Sequence, residues 1–278
     1  DVALAEAGTA LGGRVARERL LPGLSAWGRV ADYREYQISQ KPNVQSYFDS
    51  ALDAESILEF GFENVCLATG AKWRRDGVSR QHVVPMPMDD AMPIYTPDDI
   101  MDGKRPSGHV VIYDDDHYYM GGVLAELLRQ EGCEVTIVTP SAYLSDWTVN
   151  TLEQHTIHKR LAEMGVEIVL NRGMTEIGKG HVLTNCTYTD RLTELGCDAV
   201  VVVASKLENN QVFTDLKARE ADWADAGIKT VRIIGDAEAP GPIAWATYAG
   251  HRYARELDGE DIGDALPFRR EITELAAE

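Results

Sequence analysis

The sequence predicts an α/β protein built of two Rossmann-like domains, the first lacking its initial βα unit. Three observations predict it. Short β-prone runs alternate with helix-period stretches along the 278 residues, the pattern of parallel strands joined by helical crossovers. The stretch from His109 to Thr139 holds one complete βαβ unit of about 30 residues. Residues 198–204 read Asp-Ala-Val-Val-Val-Val-Ala, apolar after the opening Asp198, as strands are when both faces of their sheet are covered.

The elements follow in order. Asp1-Val-Ala-Leu-Ala-Glu6 reads as a strand ending in an acid, and Ala-Gly-Thr-Ala-Leu-Gly12-Gly13-Arg14 follows it. A loop, Leu20 to Gly28, leads into a helix over Val30–Gln40. Glu63-Asn-Val-Cys-Leu-Ala-Thr-Gly70 is a buried strand running into a tight turn. Residues 75–107, rich in Pro, Met and Asp, suit a crossing segment between domains. The complete unit comprises a strand at His109–Tyr113, a helix over Gly121–Gln130 with Leu124, Leu127 and Leu128 on one face, and a strand at Glu134–Thr139. A helix around Leu152–Met164 leads to a strand at Val166–Leu170. The apolar strand Asp198–Ala204, a last strand at Val231–Asp236 and a closing helix at Ile243–Leu257 complete the pattern.

Composition excludes several functions. With 45 acidic against 27 basic residues and a net charge of −18, the surface repels nucleic acid and anionic lipid, so neither is an expected partner. No apolar run approaches the ~20 residues of a membrane span, and no basic-then-apolar leader opens the sequence. Cys66, Cys133, Cys186 and Cys197 form no close pair, which excludes a metal knuckle and a CxxC redox motif. A reducing, cytoplasmic location is expected.

Three turns carry the candidate chemistry: Glu6 with Gly12-Gly13-Arg14, Thr69-Gly70, and Gly235-Asp236. Each lies at or beyond the C-terminal end of a predicted strand, where α/β sheets bind ligands. In a dinucleotide-binding unit the second strand ends in an acid that bonds the adenosine ribose, about 20 residues past the glycine loop. Glycines let the backbone approach a pyrophosphate, and helix N-termini offer it unpaired N–H groups. Singly, each is also an ordinary turn, and Glu6 also reads as a surface acid after a strand. Their order together marks flavoproteins with two dinucleotide-binding domains of the glutathione reductase type, FAD and NAD(P) binding. On this reading residues 1–100 begin an FAD-like, ADP-binding domain, 101–205 form an NAD(P)H-domain-like unit and 206–278 return to the first. No catalytic residue and no metal ligand is assigned.

The second βαβ unit departs from a working dinucleotide site. After Tyr113 stand Asp114-Asp115-Asp116-His117-Tyr118-Tyr119-Met120-Gly121-Gly122. Three carboxylates where a pyrophosphate would rest repel it, and the bulky His-Tyr-Tyr run blocks close backbone approach. This domain is expected to have lost its ligand. A metal at Asp114–His117 is the lesser reading of that cluster, a hydrogen-bonded loop the greater. His155 and His158 read as a solvated helix face, Trp223 and Trp245 as core, and Trp27 and Tyr33 as a loop packed on its helix.

Tyr113-Asp-Asp-Asp-His-Tyr-Tyr119, Leu21-Pro-Gly-Leu-Ser-Ala-Trp27, Ile234-Gly-Asp-Ala-Glu-Ala-Pro240 and Gly250-His-Arg-Tyr-Ala-Arg-Glu-Leu257 resemble the C-terminal third of the trimethylamine, dimethylamine and histamine dehydrogenases. The resemblance implies an iron–sulfur flavoprotein whose N-terminal barrel, in the old-yellow-enzyme style, holds covalent FMN and a [4Fe–4S] cluster. It implies two C-terminal domains like the FAD and NADPH domains of glutathione reductase, the first holding a tight, non-redox ADP and the second empty. Glu6 then matches the ribose acid, and Gly12, Gly13 and Arg14 match the pyrophosphate segment. Thr69, Gly70, Gly235 and Asp236 match the other nucleotide-facing turns.

Barrel, FMN site, cluster cysteines and ADP glycine loop are not in this sequence, so the chain alone is expected to lack amine dehydrogenase activity. The parent would oxidatively demethylate di- or trimethylamine and pass electrons to electron-transferring flavoprotein. The Trp27–Tyr36 stretch resembles the neighbourhood of that partner, although Arg29 stands where the trimethylamine enzyme carries an aromatic residue. The N-terminal barrel of the same protein and a homodimer mate are the other implied partners. The rival readings are a stand-alone FAD/NAD(P)-type pyridine-nucleotide oxidoreductase and a ligand-free docking module.

Overall fold

A computed structural model of the chain describes residues 1–257 and 259. These fall into two compact units. One is made of residues 1–51 with 72–207, the other of 52–71 with the described residues from 208 onward.

The first unit opens with β1 (Val2–Ala5), α1 (Gly13–Glu18) and α2 (Arg29–Ser39), and β2 (Val44–Tyr47) pairs in parallel with β1. The chain then enters the second unit through α3 (Ala54–Phe60) and β3 (Asn64–Leu67). Asp53 caps α3 by accepting from Ser56 N at 2.9 Å, and Gly61 ends it with φ 63°. A Cβ at Gly61 would stand 2.8 Å from Ala226 O, so sterics and dihedral both demand glycine there.

Back in the first unit come β4 (Ala71–Trp73), β5 (Ile94–Tyr95) and α4 (Pro97–Met101). The capping box of Thr96 and Asp99, with Pro97 in the first turn, fixes the start of α4. Residues 75–107 are therefore no mere crossing segment, since they supply a sheet strand and a helix. The series continues with β6 (His109–Asp114), α5 (Met120–Gln130), β7 (Glu134–Val138), α6 (Gln154–Glu163) and β8 (Glu167–Val169). Next are β9 (Arg172–Gly178), β10 (His181–Cys186), β11 (Leu192–Gly196), β12 (Ala199–Val203) and β13 (Lys206–Glu208). The order β5-β12-β6-β7-β8 makes a five-stranded parallel sheet.

Alternation along these strands divides the core in two. Val110, Ile112, Val135, Ile137 and Val201 join Leu124, Leu128 and Leu161 from the helices. Val111, Tyr113, Val200 and Val202 face the other way, onto Met174, Ile177 and Val182 of β9 and β10. A Rossmann sheet is covered by helices on both faces. Here the second face is closed by the antiparallel sheet β11-β10-β9, which the sequence reading left without elements. The expected first domain departs as well. Its strands form two separate pairs, β1 with β2 in the first unit and β3 with β14 (Thr230–Ile233) in the second. The expectation of two Rossmann-like domains of glutathione reductase type is corrected on both counts.

The second unit is completed by α7 (Gln211–Ala218), β14 and α8 (Ile243–Glu256). Its core gathers Ile57, Leu58, Leu67, Leu216, Ile228 and Val231. Trp223 lies half-buried against that core, but Trp245, expected inside, is 63% exposed. Tyr33 is likewise 63% exposed rather than packed. Among the described residues, no helix is long and apolar enough to cross a membrane.

Candidate functional site

The eight residues singled out for a nucleotide divide between the units. Glu6, Gly12, Gly13 and Arg14 belong to the first, and Thr69, Gly70, Gly235 and Asp236 to the second. Each group is described within its own unit.

In the first unit, Glu6 follows β1, and its backbone is held by Tyr47 O at 2.8 Å and Ser50 N at 2.9 Å. Its Oε1 accepts from Gly8 N at 2.8 Å, shaping the turn beyond the strand. Gly12 precedes α1 with φ 110°, and a Cβ there would stand 3.0 Å from Ala31 Cβ. Helix packing as well as dihedral therefore explains Gly12. Gly13 has φ 49° and open space where a Cβ would go. Arg14 reaches Glu18 Oε1 at 2.9 Å, one turn on, and Glu18 is fully buried.

In the second unit, the Thr69 hydroxyl donates to Asn209 O. Asn209 in turn donates from Nδ2 to Thr69 O at 3.2 Å and from its backbone N to Gly70 O at 2.8 Å. A residue 140 positions downstream of Thr69 thus clamps this turn, and no local signal announces it. Gly235 has φ 64°, and Asp236 Oδ1 accepts from Gly241 N at 3.1 Å.

The acidic loop after β6 is closed on itself. Asp115 N and Asp116 N both donate to Val203 O, at 2.9 and 3.1 Å, and His117 N donates to Asp114 Oδ1 at 3.0 Å. His117 adopts φ 65°, a left-handed conformation that the Asp114 bond holds in place. Asp114 is fully buried, and among the described residues its Oδ2 has no hydrogen-bond partner. Burial, reinforced by the charge of Asp116, pushes its carboxyl up to about 7. A Cβ at Gly121 would stand 2.5 Å from Asp114 Cγ. That glycine makes room for a protein carboxyl, the place a ligand phosphate takes in a dinucleotide turn.

Asp115 is 1% exposed, with Oδ2 accepting from Gln81 N at 2.8 Å and Oδ1 2.9 Å from His117 Nε2. Burial pushes its carboxyl up, but the bonds from His117 and Gln81 outweigh this and hold it below the ordinary range. Burial pulls the His117 imidazole down, yet the Asp115 bond and the Asp114 charge raise it overall. Burial raises the Asp116 carboxyl despite Lys206, whose Nζ lies 3.9 Å from Oδ1 and 4.3 Å above the Trp73 ring. Gln81 and Lys206 were not foreseen, since Gln81 arrives from a distant loop and Lys206 from the start of β13. Among the described residues, no group of three or more His, Cys, Asp or Glu is placed to hold a metal ion.

Comparison with known proteins identifies the relatives. The structure of histamine dehydrogenase from Rhizobium sp. 4-9 is 66% identical, with a TM-score of 0.95 over 100% of this chain and 43% of that one. Dimethylamine dehydrogenase of Hyphomicrobium sp. (strain x) is 33% identical over 286 residues, or 94% of this chain and 39% of that protein. The chain belongs to the amine dehydrogenase family. A further member of the likeness is the 6-hydroxypseudooxynicotine amine oxidase of Pseudomonas geniculata N1, 43% identical with a TM-score of 0.85 over 89% of this chain and 37% of that one. The family described as "OYE-like second alpha/beta domain" matches residues 95–198. That match, with these two structures, overturns the glutathione reductase-type FAD/NAD(P) assignment, and the parallel strands β6, β7 and β8 with the antiparallel cover β9–β11 fall within it. The chain spans about two-fifths of the length of its amine dehydrogenase relatives.

Proposed function

We propose that this chain is the portion of an FMN- and [4Fe–4S]-containing amine dehydrogenase that holds ADP as a fixed structural element and helps shape the surface for electron-transferring flavoprotein. The observation that carries the reading is the 66% identity to histamine dehydrogenase along the whole chain. Set against 33% to dimethylamine dehydrogenase, it favours histamine over di- or trimethylamine as the parent's substrate. Flavin and cluster, held by parts of the parent outside this sequence, supply the redox chemistry.

This chain's residues fit a nucleotide in a specific way. Glu6 spends Oε1 on Gly8 N, and its other oxygen suits a ribose hydroxyl. Gly12 and Gly13 offer backbone approach to the phosphates, and Arg14 stands beside them as one half of its ion pair with Glu18. In the second unit the Thr69 hydroxyl proton is already committed to Asn209 O, so Thr69 and Gly70 have backbone groups to offer a ligand. Gly235 and Asp236 form a further candidate turn of that second unit. A homodimer and a barrel of the same polypeptide complete the reading.

The test uses the intact parent. Denatured protein should release FMN, iron and about one ADP per chain, and histamine should bleach the bound flavin anaerobically. A parent without flavin, or one that no amine reduces, would end this proposal.

A further inference from the structure

One cavity of the first unit is not accounted for by the nucleotide reading. It holds about 190 Å³ where the loop at Leu24 and Trp27 faces α5 and the start of α6. Apolar cavities of ~150 Å³ take a benzene-sized guest, so this one suits a small molecule and no more. Leu24, Val123 and Ile157 form its apolar wall. Trp27 and Tyr119 add two aromatic rings, 5.2 Å apart and at 89°, so that one ring's edge meets the other's face.

The charges at the rim are unequal. Arg160 is spent on Glu126 Oε1, which also accepts from Gln130 Nε2 at 2.9 Å. Glu153, exposed at the start of α6, has the neutral Tyr119 hydroxyl as its donor. The cavity therefore combines π faces with an uncompensated carboxylate, and its single guanidinium is already neutralised. An anion would meet two carboxylates here. A neutral apolar guest would cover Glu153 with no counter-charge. A cation bearing apolar groups satisfies both walls at once, through ring quadrupoles and the carboxylate.

From this we infer that the cavity binds a small organic ammonium ion, seated against the Trp27–Tyr119 pair with its charge toward Glu153. The inference stands on the cavity alone and holds whichever amine the parent oxidises.

Choline and its neutral carbon isostere, 3,3-dimethylbutan-1-ol, distinguish charge recognition from simple filling. Both are titrated calorimetrically into the full chain at low salt. Choline should bind about tenfold more tightly than the isostere, an advantage that shrinks as salt is added. Glu153→Gln should weaken choline about three- to tenfold and leave the isostere unchanged, because only the charged partner loses its attraction. Trp27→Leu should weaken both ligands. Should that variant fail to fold, Glu153→Gln decides alone, since its side chain is exposed and its substitution isosteric. Equal affinity for the two ligands overturns the assignment. So does undetectable choline binding, or choline binding that Glu153→Gln leaves intact.

Discussion

Replacing Asp115 with alanine tests the self-contained character of the acidic loop. The side chain is 1% exposed and takes two bonds, from Gln81 N at 2.8 Å and with His117 Nε2 at 2.9 Å. A hydrogen bond to a charged group is worth about 1.5–3 kcal/mol net. Losing both should cost roughly 3–5 kcal/mol, toward the lower end because His117 is 14% exposed and can hydrate. That is a large share of the ~5–15 kcal/mol that holds a domain folded. Urea unfolding between pH 5 and 8 reads the loss as a lower midpoint at unchanged slope.

The pH dependence supplies a second, independent check. The depressed Asp115 carboxyl contributes stability that is present above its unfolded value and lost as pH falls through the folded one. The raised His117 imidazole contributes stability that is complete below its unfolded value near 6.5 and lost as pH rises through the folded one. In Asp115→Ala the burial that pulls His117 down remains while its first counterweight is gone, so the alkaline loss should flatten or reverse. Asp114, whose carboxyl is raised mainly by burial, adds a fall in stability with rising pH to both proteins, a smaller one in Asp115→Ala because the Asp115 charge contributes to that rise. A loss under about 1 kcal/mol, or an unchanged slope above pH 7, would refute the account of the loop. A cycle with His117→Ala isolates the pair, for which coupling of about 1–2 kcal/mol is expected.

Leu124, with no exposed surface in the helix-side core, should cost about 3–5 kcal/mol when cut to alanine, measured by urea midpoint. Gly121→Ala sets a helix-favouring residue in place of glycine but puts its Cβ 2.5 Å from Asp114 Cγ. It should destabilise by about 1–3 kcal/mol, and most of that should be recovered when Asp114 is also replaced by alanine. Gly12→Ala meets both φ 110° and Ala31 Cβ at 3.0 Å. It should lower the melting temperature, with the loss reduced by Ala31→Gly. Glu6→Ala in the intact parent should cut co-purified ADP well below one per chain, whereas unchanged ADP would remove Glu6 from the ribose.

Strands with a clear apolar run were legible in the sequence, and β6, β7, β12 and β14 stand close to where periodicity puts them. Helices α2, α5, α6 and α8 were legible for the same reason. The antiparallel strands β9–β11 were not. Arg172–Gly178 and His181–Cys186 mix Thr, Asn, Glu and Gly with single apolar residues, and their pairing is dictated by burial against Val111 and Val200 rather than by local pattern. The short strand β2, Val-Gln-Ser-Tyr, carries too few apolar residues to stand out. Among the site residues, the turns were legible as turns because positive-φ glycines mark them. Their clamps were not, since Asn209 lies 140 residues from Thr69 and Gln81 lies 34 from Asp115. Trp245 misled because a large apolar residue on a helix reads as core by default, and here it is 63% exposed.

The acidic loop shows how far a charge argument reaches from sequence and what geometry adds. Three carboxylates in a row predict repulsion of a pyrophosphate, and repulsion alone could be offset by cations such as Lys206 near Asp116. The backbone removes that escape. A phosphate at a strand–helix turn is held by successive N–H donors, and in this loop the three that follow Asp114 are all spent. Asp115 N and Asp116 N go to Val203 O, and His117 N goes to Asp114 Oδ1. Neutralising one carboxylate would leave those donors where they are, and freeing them would require the left-handed His117 to change conformation and the β12 end to lose both its bonds. Exclusion of a phosphate here thus rests first on committed donors and only second on charge. The same commitments tie β6 to β12 at the end of the sheet, so the loop braces the fold at the position where related architectures place a ligand.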